Sequence, residues 1–114
     1  MKFRSLLWVV VAGGLITFSH STIAKEVTID QKDKSFMING KQADAYAVKV
    51  GDKINFRNMD PWFHNIFSLS DIKTFDLGSY PQGEARPVVF DKVGRVEIEC
   101  AIHPQMFIEL DVSN

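Results

Sequence analysis

The fold is decided by the stretch Val96-Glu-Ile-Glu-Cys100-Ala-Ile-His103-Pro-Gln-Met106-Phe-Ile-Glu-Leu-Asp-Val112. Apolar and acidic residues alternate on both sides of its central loop. Because successive side chains of a β-strand point to opposite faces, each half predicts a strand with one buried and one exposed face. The predicted buried rows are Val96, Ile98 and Cys100 in the first strand, and Met106, Ile108, Leu110 and Val112 in the second. Both sulfur atoms are therefore expected to face inward at the same end of neighbouring strands.

Shorter strands and turns of the same kind fill the rest of residues 25–114. Asn39-Gly40 is a strong signal for a tight turn between two strands. The segments 88–90 and 95–100, joined by Lys92-Val93-Gly94, predict a hairpin. Within residues 70–87 the pattern indicates only an excursion of the chain around residues 77–81. Several short strands without a convincing helix predict an all-β sandwich.

The first 24 residues have the organisation of a secretory signal peptide. Lys2 and Arg4 precede the apolar run Leu6 to Phe18, and small or polar residues then lead to Ala24. The run is shorter than the ~20 apolar residues that a membrane-spanning helix needs. We therefore expect residues 1–24 to be removed during export. Residues 25–114 would remain as a single periplasmic domain without stable membrane insertion.

Composition excludes several functional classes. The sequence has a formal charge of −1 and no basic run, which argues against nucleic acid as a partner. It contains no phosphate-binding glycine loop and no dinucleotide motif. Its single cysteine excludes an internal disulfide and, in an exported protein, predicts a thiol that is protected or used. The lack of a long unexplained apolar segment in residues 25–114 favours a monomer.

A group of metal-ligand residue types surrounds the central loop. Cys100, His103 and Met106 supply a thiolate, an imidazole and a thioether within seven residues. His64 is the only other histidine beyond residue 24, and it follows residues 60–63 at the start of a predicted strand. Two imidazoles, one thiolate and a weak thioether are the ligand set of a blue-copper electron-transfer site. The soft sulfur ligands favour Cu(I), whereas imidazoles bind both oxidation states.

Each of these residues has a structural interpretation when it is taken alone. A methionine at the start of a strand is usually core filler, and a single buried cysteine is usually inert. A histidine beside aromatic residues or before a proline is usually hydrogen-bonded or solvated. The four residues nevertheless occur together in an exported, strand-rich chain. This joint occurrence favours the metal site.

The same residues resemble the cupredoxins, the family of type 1 blue copper proteins. Residues 100–106, preceded by the segment Phe90 to Gly94, look like the C-terminal copper loop of that family. Residues 48–56 and His64-Asn65 look like its upstream strand and first ligand. The Cys-x2-His-x2-Met spacing is similar to the short loop of amicyanins, whereas plastocyanins and pseudoazurins have a longer loop. The resemblance covers residues 45–114.

This resemblance implies a Greek-key β-sandwich that holds one type 1 copper ion. Carried over by position, His64, Cys100 and His103 would be the equatorial copper ligands, and Met106 would be the axial ligand. Asn65 would tie the two ligand segments together by hydrogen bonds.

The predicted function is periplasmic electron transfer, in which one electron moves between Cu(I) and Cu(II) without catalysis by the protein as an enzyme. The partners would be other redox proteins, such as a dehydrogenase, a cytochrome or an oxidase. Apolar residues near the copper end are expected to form a small docking surface, with capping of the core as the alternative. These residues are Trp62, Phe63, Pro104 and Phe107.

Other functions are less well supported by the residues. A copper carriage or buffering protein commonly uses several methionines or exposed histidines, and only Met37, Met59 and Met106 lie beyond residue 24. An enzyme with a Cys–His nucleophilic pair would need a third group to orient the base. A structural zinc site is disfavoured because methionine is a poor zinc ligand.

Overall fold

The structure is a computed structural model that describes residues 12–15 and 24–114. Most of the predicted leader lies outside the described residues, so its removal stays a prediction. Within the described parts of the chain, no helix has the length and apolar character to cross a membrane.

Residues 26–113 contain ten β-strands that form two five-stranded sheets. The strands are β1 (Glu26–Lys32), β2 (Ser35–Ile38), β3 (Lys41–Gln42), β4 (Ala45–Lys49), β5 (Lys53–Asn58), β6 (Asn65–Ser68), β7 (Phe75–Ser79), β8 (Ala85–Val89), β9 (Gly94–Cys100) and β10 (Phe107–Ser113). One sheet has the strand order β3-β2-β1-β5-β8, and the other has the order β4-β10-β9-β6-β7. The prediction of an all-β sandwich is confirmed.

The alternation in residues 96–112 is also confirmed. The inward rows of β9 and β10 are buried, whereas the acidic residues between them are at least partly exposed. Strands β9 and β10 pair antiparallel, with Ile108 opposite Ile98. Burial of each large apolar side chain contributes about 1.5–3 kcal/mol, so this double row is a main source of the sandwich's stability. Its members are Val96, Ile98, Cys100, Met106, Ile108, Leu110 and Val112.

The predicted hairpin over residues 88–100 is wrong. Strand β8 pairs with β5, whereas β9 pairs with β10 and β6 in the other sheet. The chain therefore crosses between sheets where a tight turn was expected. Gly94 has a φ of 142°, and a Cβ atom there would lie 2.8 Å from Cδ1 of Ile72. Close packing at the crossing, rather than a hairpin turn, explains the glycine.

The predicted turn at Asn39-Gly40 is confirmed, and a second turn of the same kind joins β1 to β2. Asn39 and Gly40 both have positive φ and join β2 to β3, with Ile38 opposite Lys41. Asp33 and its neighbour Lys34 also have positive φ, 53° and 56°, where they join β1 to β2. Two successive residues with positive φ are typical of the type I′ turn, which matches the twist of the two strands.

Candidate metal centre

The centre is positioned by the pairing of β6 with β9. These strands are antiparallel, with Ile66 opposite Cys100. The backbone N–H of Ala101 donates to the carbonyl of Asn65 at 3.0 Å. This register puts His64, the residue before β6, beside Cys100, the last residue of β9. Since the loop after β9 then turns back into β10, it carries His103 to the same place.

The donor atoms of these residues converge. Sγ of Cys100 lies 3.8 Å from Nδ1 of His64 and 3.7 Å from Nδ1 of His103. The two Nδ1 atoms are 3.1 Å apart. His64 and Cys100 are buried, and His103 is partly exposed. One cysteine sulfur and two imidazole nitrogens therefore lie close enough together to share a metal ion.

These distances fit a first-row transition metal. Zinc, an ion of similar size, binds imidazole nitrogen at about 2.0 Å and thiolate sulfur at about 2.3 Å. With bonds about 120° apart, those lengths correspond to N···S distances of about 3.7 Å, and the 3.1 Å between the two Nδ1 atoms corresponds to a smaller angle of about 100° at the metal. The donor set selects further, because two imidazoles and one thiolate in a three-cornered arrangement are typical of blue-copper sites. The centre therefore fits copper.

The environment of His103 keeps its imidazole available for binding. Burial, together with the electrostatic effects of His64 and Lys34, lowers the pKa of His103 below its usual value, while Asp60 opposes this effect. A lowered pKa favours the neutral imidazole at neutral pH. Neutral imidazole is the form that binds a metal ion.

The structure places the two remaining predicted site residues next to the cluster. Met106 is buried in the core, and its backbone N–H donates to the carbonyl of His103 at 2.9 Å. This bond closes the loop between Cys100 and β10. Asn65 joins the two ligand segments through its backbone carbonyl, which accepts from Ala101. The roles of Met106 as axial ligand and of the Asn65 side chain stay predictions.

Comparison with solved structures gives the same architecture. A methionine-to-alanine variant of amicyanin in its Cu(I) form superposes with a TM-score of 0.65 at 19% identity, covering 77% of this chain and 82% of that chain. A copper-containing nitrite reductase from Thermus scotoductus superposes with a TM-score of 0.67 at 22% identity. The match covers 78% of this chain but 22% of the reductase, so it involves one part of that enzyme.

The chain has the cupredoxin fold. The resemblance predicted from the copper-loop sequence is thereby confirmed. Among curated proteins, the methylamine utilization protein MauL of Methylorubrum extorquens is 26% identical over 99 residues, covering 86% of this chain and 87% of that protein. The sequence matches no protein-family model.

The protein has a buried carboxylate behind His64, which the sequence pattern did not indicate. Oδ2 of Asp60 lies 2.7 Å from Nε2 of His64, on the side of the ring opposite the cluster. The same carboxylate accepts backbone N–H bonds from Asp33 at 2.8 Å and from Lys34 at 3.3 Å. Burial raises the pKa of Asp60, but the bonds from Asp33, His64 and Lys34 outweigh it and bring the pKa below its usual value.

The loop that carries Asp60 and His64 is shaped by a buried amide at the end of β5. Oδ1 of Asn58 accepts from the backbone N–H of Asp60 at 2.9 Å. Its Nδ2 group donates to the carbonyls of Trp62 and Tyr80, each at 3.0 Å. Every one of these groups lies in or against the segment that enters β6. Asn58 therefore fixes the path of the chain between the end of β5 and His64.

Several apolar side chains near the cluster are exposed. Trp62 is 41% exposed, Phe63 58% and Phe107 38%. Pro104 in the copper loop is exposed as well. Nζ of Lys34 lies 5.5 Å from the ring centroid of Trp62, which links this surface to the β1–β2 turn. Their part in docking stays a proposal, with capping of the core as the alternative.

Proposed function

We propose that this cupredoxin is a one-electron carrier built around a type 1 copper ion. His64 and His103 would hold the metal through Nδ1, Cys100 would hold it through Sγ, and Met106 would supply a weak thioether. Copper bound there supplies the exchangeable electron. The observation that carries the proposal is the convergence of three nitrogen and sulfur donors within 4.8 Å of one another.

The surroundings of the donors suit electron transfer better than catalysis. His64 and Cys100 are 1% and 2% exposed, so the protein excludes water from two of the three donors and restricts their movement. Restricted donors limit the rearrangement that accompanies gain or loss of one electron. His103 alone among the three is partly exposed, and its ring offers the shortest route from the centre to the surface.

The proposed docking surface is the exposed apolar group Trp62, Phe63, Pro104 and Phe107. An exposed apolar surface beside the metal centre suits a transient contact with another redox protein, such as a dehydrogenase, a cytochrome or an oxidase. The MauL relative is named for methylamine utilization, and amicyanin is among the structural neighbours. Both support redox partners in methylamine utilization as the first to test.

The proposed location is the periplasm. The basic and apolar organisation of residues 1–24 supports export with removal of the leader after Ala24. N-terminal sequencing of the protein recovered from a bacterial periplasm tests this directly. A chain that starts at Lys25 is expected, whereas a chain that keeps residues 1–24 would contradict the proposal.

The central test of electron transfer is optical. The purified protein is reduced at its thiol, mixed with one equivalent of Cu(II) and then with ascorbate, while the visible spectrum is recorded. We expect an intense blue or green colour that ascorbate removes and an oxidant restores. The cycle is repeated with a Cu(I) chelator present, and an electron carrier should keep its metal throughout. A pale complex that gives up copper on reduction would instead indicate copper carriage or buffering.

A further inference from the structure

Asp60 is the one buried carboxylate among the described residues that contacts a donor of the metal centre. It is 2% exposed, and three nitrogen atoms lie within hydrogen-bond distance of its two oxygens. Two of these nitrogens belong to backbone N–H groups, which can act only as donors. The third is Nε2 of His64, which is a donor or an acceptor depending on the tautomer of the ring.

The carboxylate decides between these tautomers. An ionised carboxylate is acceptor-only, so Nε2 of His64 must carry a hydrogen to make the 2.7 Å contact. A neutral imidazole with its hydrogen on Nε2 has its lone pair on Nδ1. That lone pair points toward Cys100 and His103, where the metal would bind. The hydrogen bond on one side of the ring therefore prepares the ligand atom on the other side.

Asp60 is held so that it cannot turn away from His64. Its backbone N–H is bound by Asn58, and its side chain is bound by the turn between β1 and β2. That turn contains two non-glycine residues, Asp33 and Lys34, in the left-handed region. Non-glycine residues are uncommon in the left-handed region. In this turn, that conformation directs the N–H groups of Asp33 and Lys34 to the carboxylate of Asp60. The metal centre is thus tied to the opposite sheet, which contains β1 and β2.

We propose that Asp60 is the positioning residue for His64, fixing the Nε2–H tautomer and the ring orientation, and that its buried negative charge favours Cu(II) over Cu(I) at the centre. The second half of this inference rests on the proposed copper function. The first half concerns the metal-free protein and stands apart from it. A negative charge one ring away stabilises the more highly charged ion, so its removal should raise the reduction potential.

The first experiment needs no substitution and no metal. Long-range proton–nitrogen correlation NMR on the metal-free protein at neutral pH reports which ring nitrogen of His64 carries the hydrogen. We expect the Nε2–H tautomer to dominate. A dominant Nδ1–H tautomer, or a ring that averages between the two, would overturn the positioning role.

The second experiment compares two aspartate-to-asparagine variants. Asp60→Asn removes the charge and leaves one acceptor oxygen for three donors, which should drive His64 away from the Nε2–H tautomer. The matched control is Asp52→Asn, since Asp52 is also buried and also accepts two backbone N–H bonds, but it contacts no donor of the centre. Copper affinity and reduction potential are measured for both variants and the parent.

In Asp60→Asn we expect copper affinity to fall about 10–100-fold, the range for loss of a partner that orients a metal ligand. The loss should be about tenfold greater for Cu(II) than for Cu(I), which for one electron corresponds to a potential higher by about 59 mV. Asp52→Asn should leave both quantities near those of the parent. An equal potential shift in the two variants would overturn the charge effect.

Failure of the positioning role and failure of the electron-carrier role give different results. If the parent protein shows no thiolate–copper colour, the electron-carrier proposal fails, while the NMR measurement still decides the positioning role. If the colour is present and His64 lacks the Nε2–H tautomer, the positioning role fails alone. If the Asp60→Asn variant does not fold, the NMR measurement of the His64 tautomer in the parent protein decides the positioning role.

Discussion

Strand β5 has a buried aspartate near each end, and the two have different tasks. Asp52 precedes the strand, where its carboxylate accepts backbone N–H bonds from Lys25 at 3.0 Å and Lys49 at 2.9 Å. Asp60 follows the strand and accepts two backbone N–H bonds in the same way, but it also reaches Nε2 of His64. A buried carboxylate therefore holds loops in place through backbone hydrogen bonds at each end of β5. At the Asp60 end, the additional contact with Nε2 of His64 makes the carboxylate part of the surroundings of the metal centre.

The largest effect is expected from Cys100→Ser, which acts at the Asp60 end alone. A serine hydroxyl is a poor copper ligand, so the intense thiolate colour should be absent while both aspartate clusters stay intact. Burial of an extra hydroxyl costs about 1–3 kcal/mol, which leaves room for a folded chain. Visible spectra and circular dichroism measure the two properties separately. Retention of the colour would contradict the assignment of Cys100 as a ligand.

Substitutions of Met106 test whether this residue serves both the hydrophobic core and the metal centre. The side chain is 1% exposed and belongs to the main apolar cluster, so Met106→Ala should cost about 2–5 kcal/mol of unfolding free energy in the metal-free protein. In the copper form the same variant should keep its metal but have a higher potential, because an electron donor has been replaced by apolar surroundings.

The matched variant is Met106→Leu, which removes the sulfur but nearly conserves the volume. It should cost less than about 1.5 kcal/mol and still shift the potential. Chemical denaturation and redox titration of both variants separate packing from ligation. If both leave the colour and the potential unchanged, Met106 is a core residue only.

The parts of this structure that could be predicted from sequence are those set by local periodicity. Alternation in residues 96–112 predicts two strands, their buried faces and the position of Cys100 at the end of one of them. The Asn39-Gly40 turn is equally local, because positive φ at two successive residues selects these residue types. Candidate ligands could be found for the same reason, since three of them lie within seven residues of one another in sequence.

The parts that could not be predicted depend on pairing between distant segments. Nothing in residues 88–100 distinguishes a hairpin from a crossing between sheets, because the choice depends on whether β8 finds β5 or β9 as its neighbour. Asp60 was missed for a related reason. Its spacing of four residues from His64 is visible in the sequence, but its burial and its bonds to the β1–β2 turn arise from the packing of two sheets.

The aspartates themselves are compared by combining their asparagine variants in the metal-free protein. Each loses charge-assisted bonds and should lower the unfolding free energy by about 1–3 kcal/mol. Six residues of β5 separate the clusters, or about 20 Å at a rise of 3.3 Å per residue. Sites this far apart usually act independently, so the double variant should equal the sum within about 0.5 kcal/mol. A larger deviation in urea denaturation would show that the two ends are coupled through the strand.

Between the two ends, Tyr80 provides a pH-dependent test. Its hydroxyl donates to the carbonyl of Phe56 in β5 at 2.7 Å and accepts from Gln31 at 2.9 Å. Burial raises the pKa of Tyr80 above its usual value, against the smaller opposing effects of Gln31 and Arg86. A raised folded-state pKa means that the stabilisation is complete below the unfolded-state pKa of about 10 and is lost as pH rises through the folded-state pKa.

The unfolding free energy should therefore decrease above about pH 10, and Tyr80→Phe should abolish most of this decrease. The variant should also lose about 1–3 kcal/mol at neutral pH, because the carbonyl of Phe56 loses its buried donor. Tyr46→Phe, at a half-buried tyrosine in β4, is the control. If the unfolding free energy still decreased at alkaline pH in Tyr80→Phe but no longer did so in Tyr46→Phe, the effect would belong to Tyr46 and the prediction for Tyr80 would be wrong.

The smallest effect concerns the Asp52 end and depends on the proposed removal of the leader. Cleavage after Ala24 would turn the backbone N–H of Lys25 into an α-ammonium group, 3.0 Å from Oδ1 of Asp52. A chain that begins at Lys25 should then be more stable than one that keeps Ala24 by about 0.5 kcal/mol, since the new ion pair is close to solvent. Both chains can be released from a cleavable fusion and compared in urea at pH 6. The difference should survive Asp60→Asn and vanish in Asp52→Asn, because of these two carboxylates it is Asp52 that contacts this nitrogen. Were it to vanish in Asp60→Asn instead, the two carboxylates would not act separately, and the division of β5 into a fastening end and a metal-positioning end would be wrong.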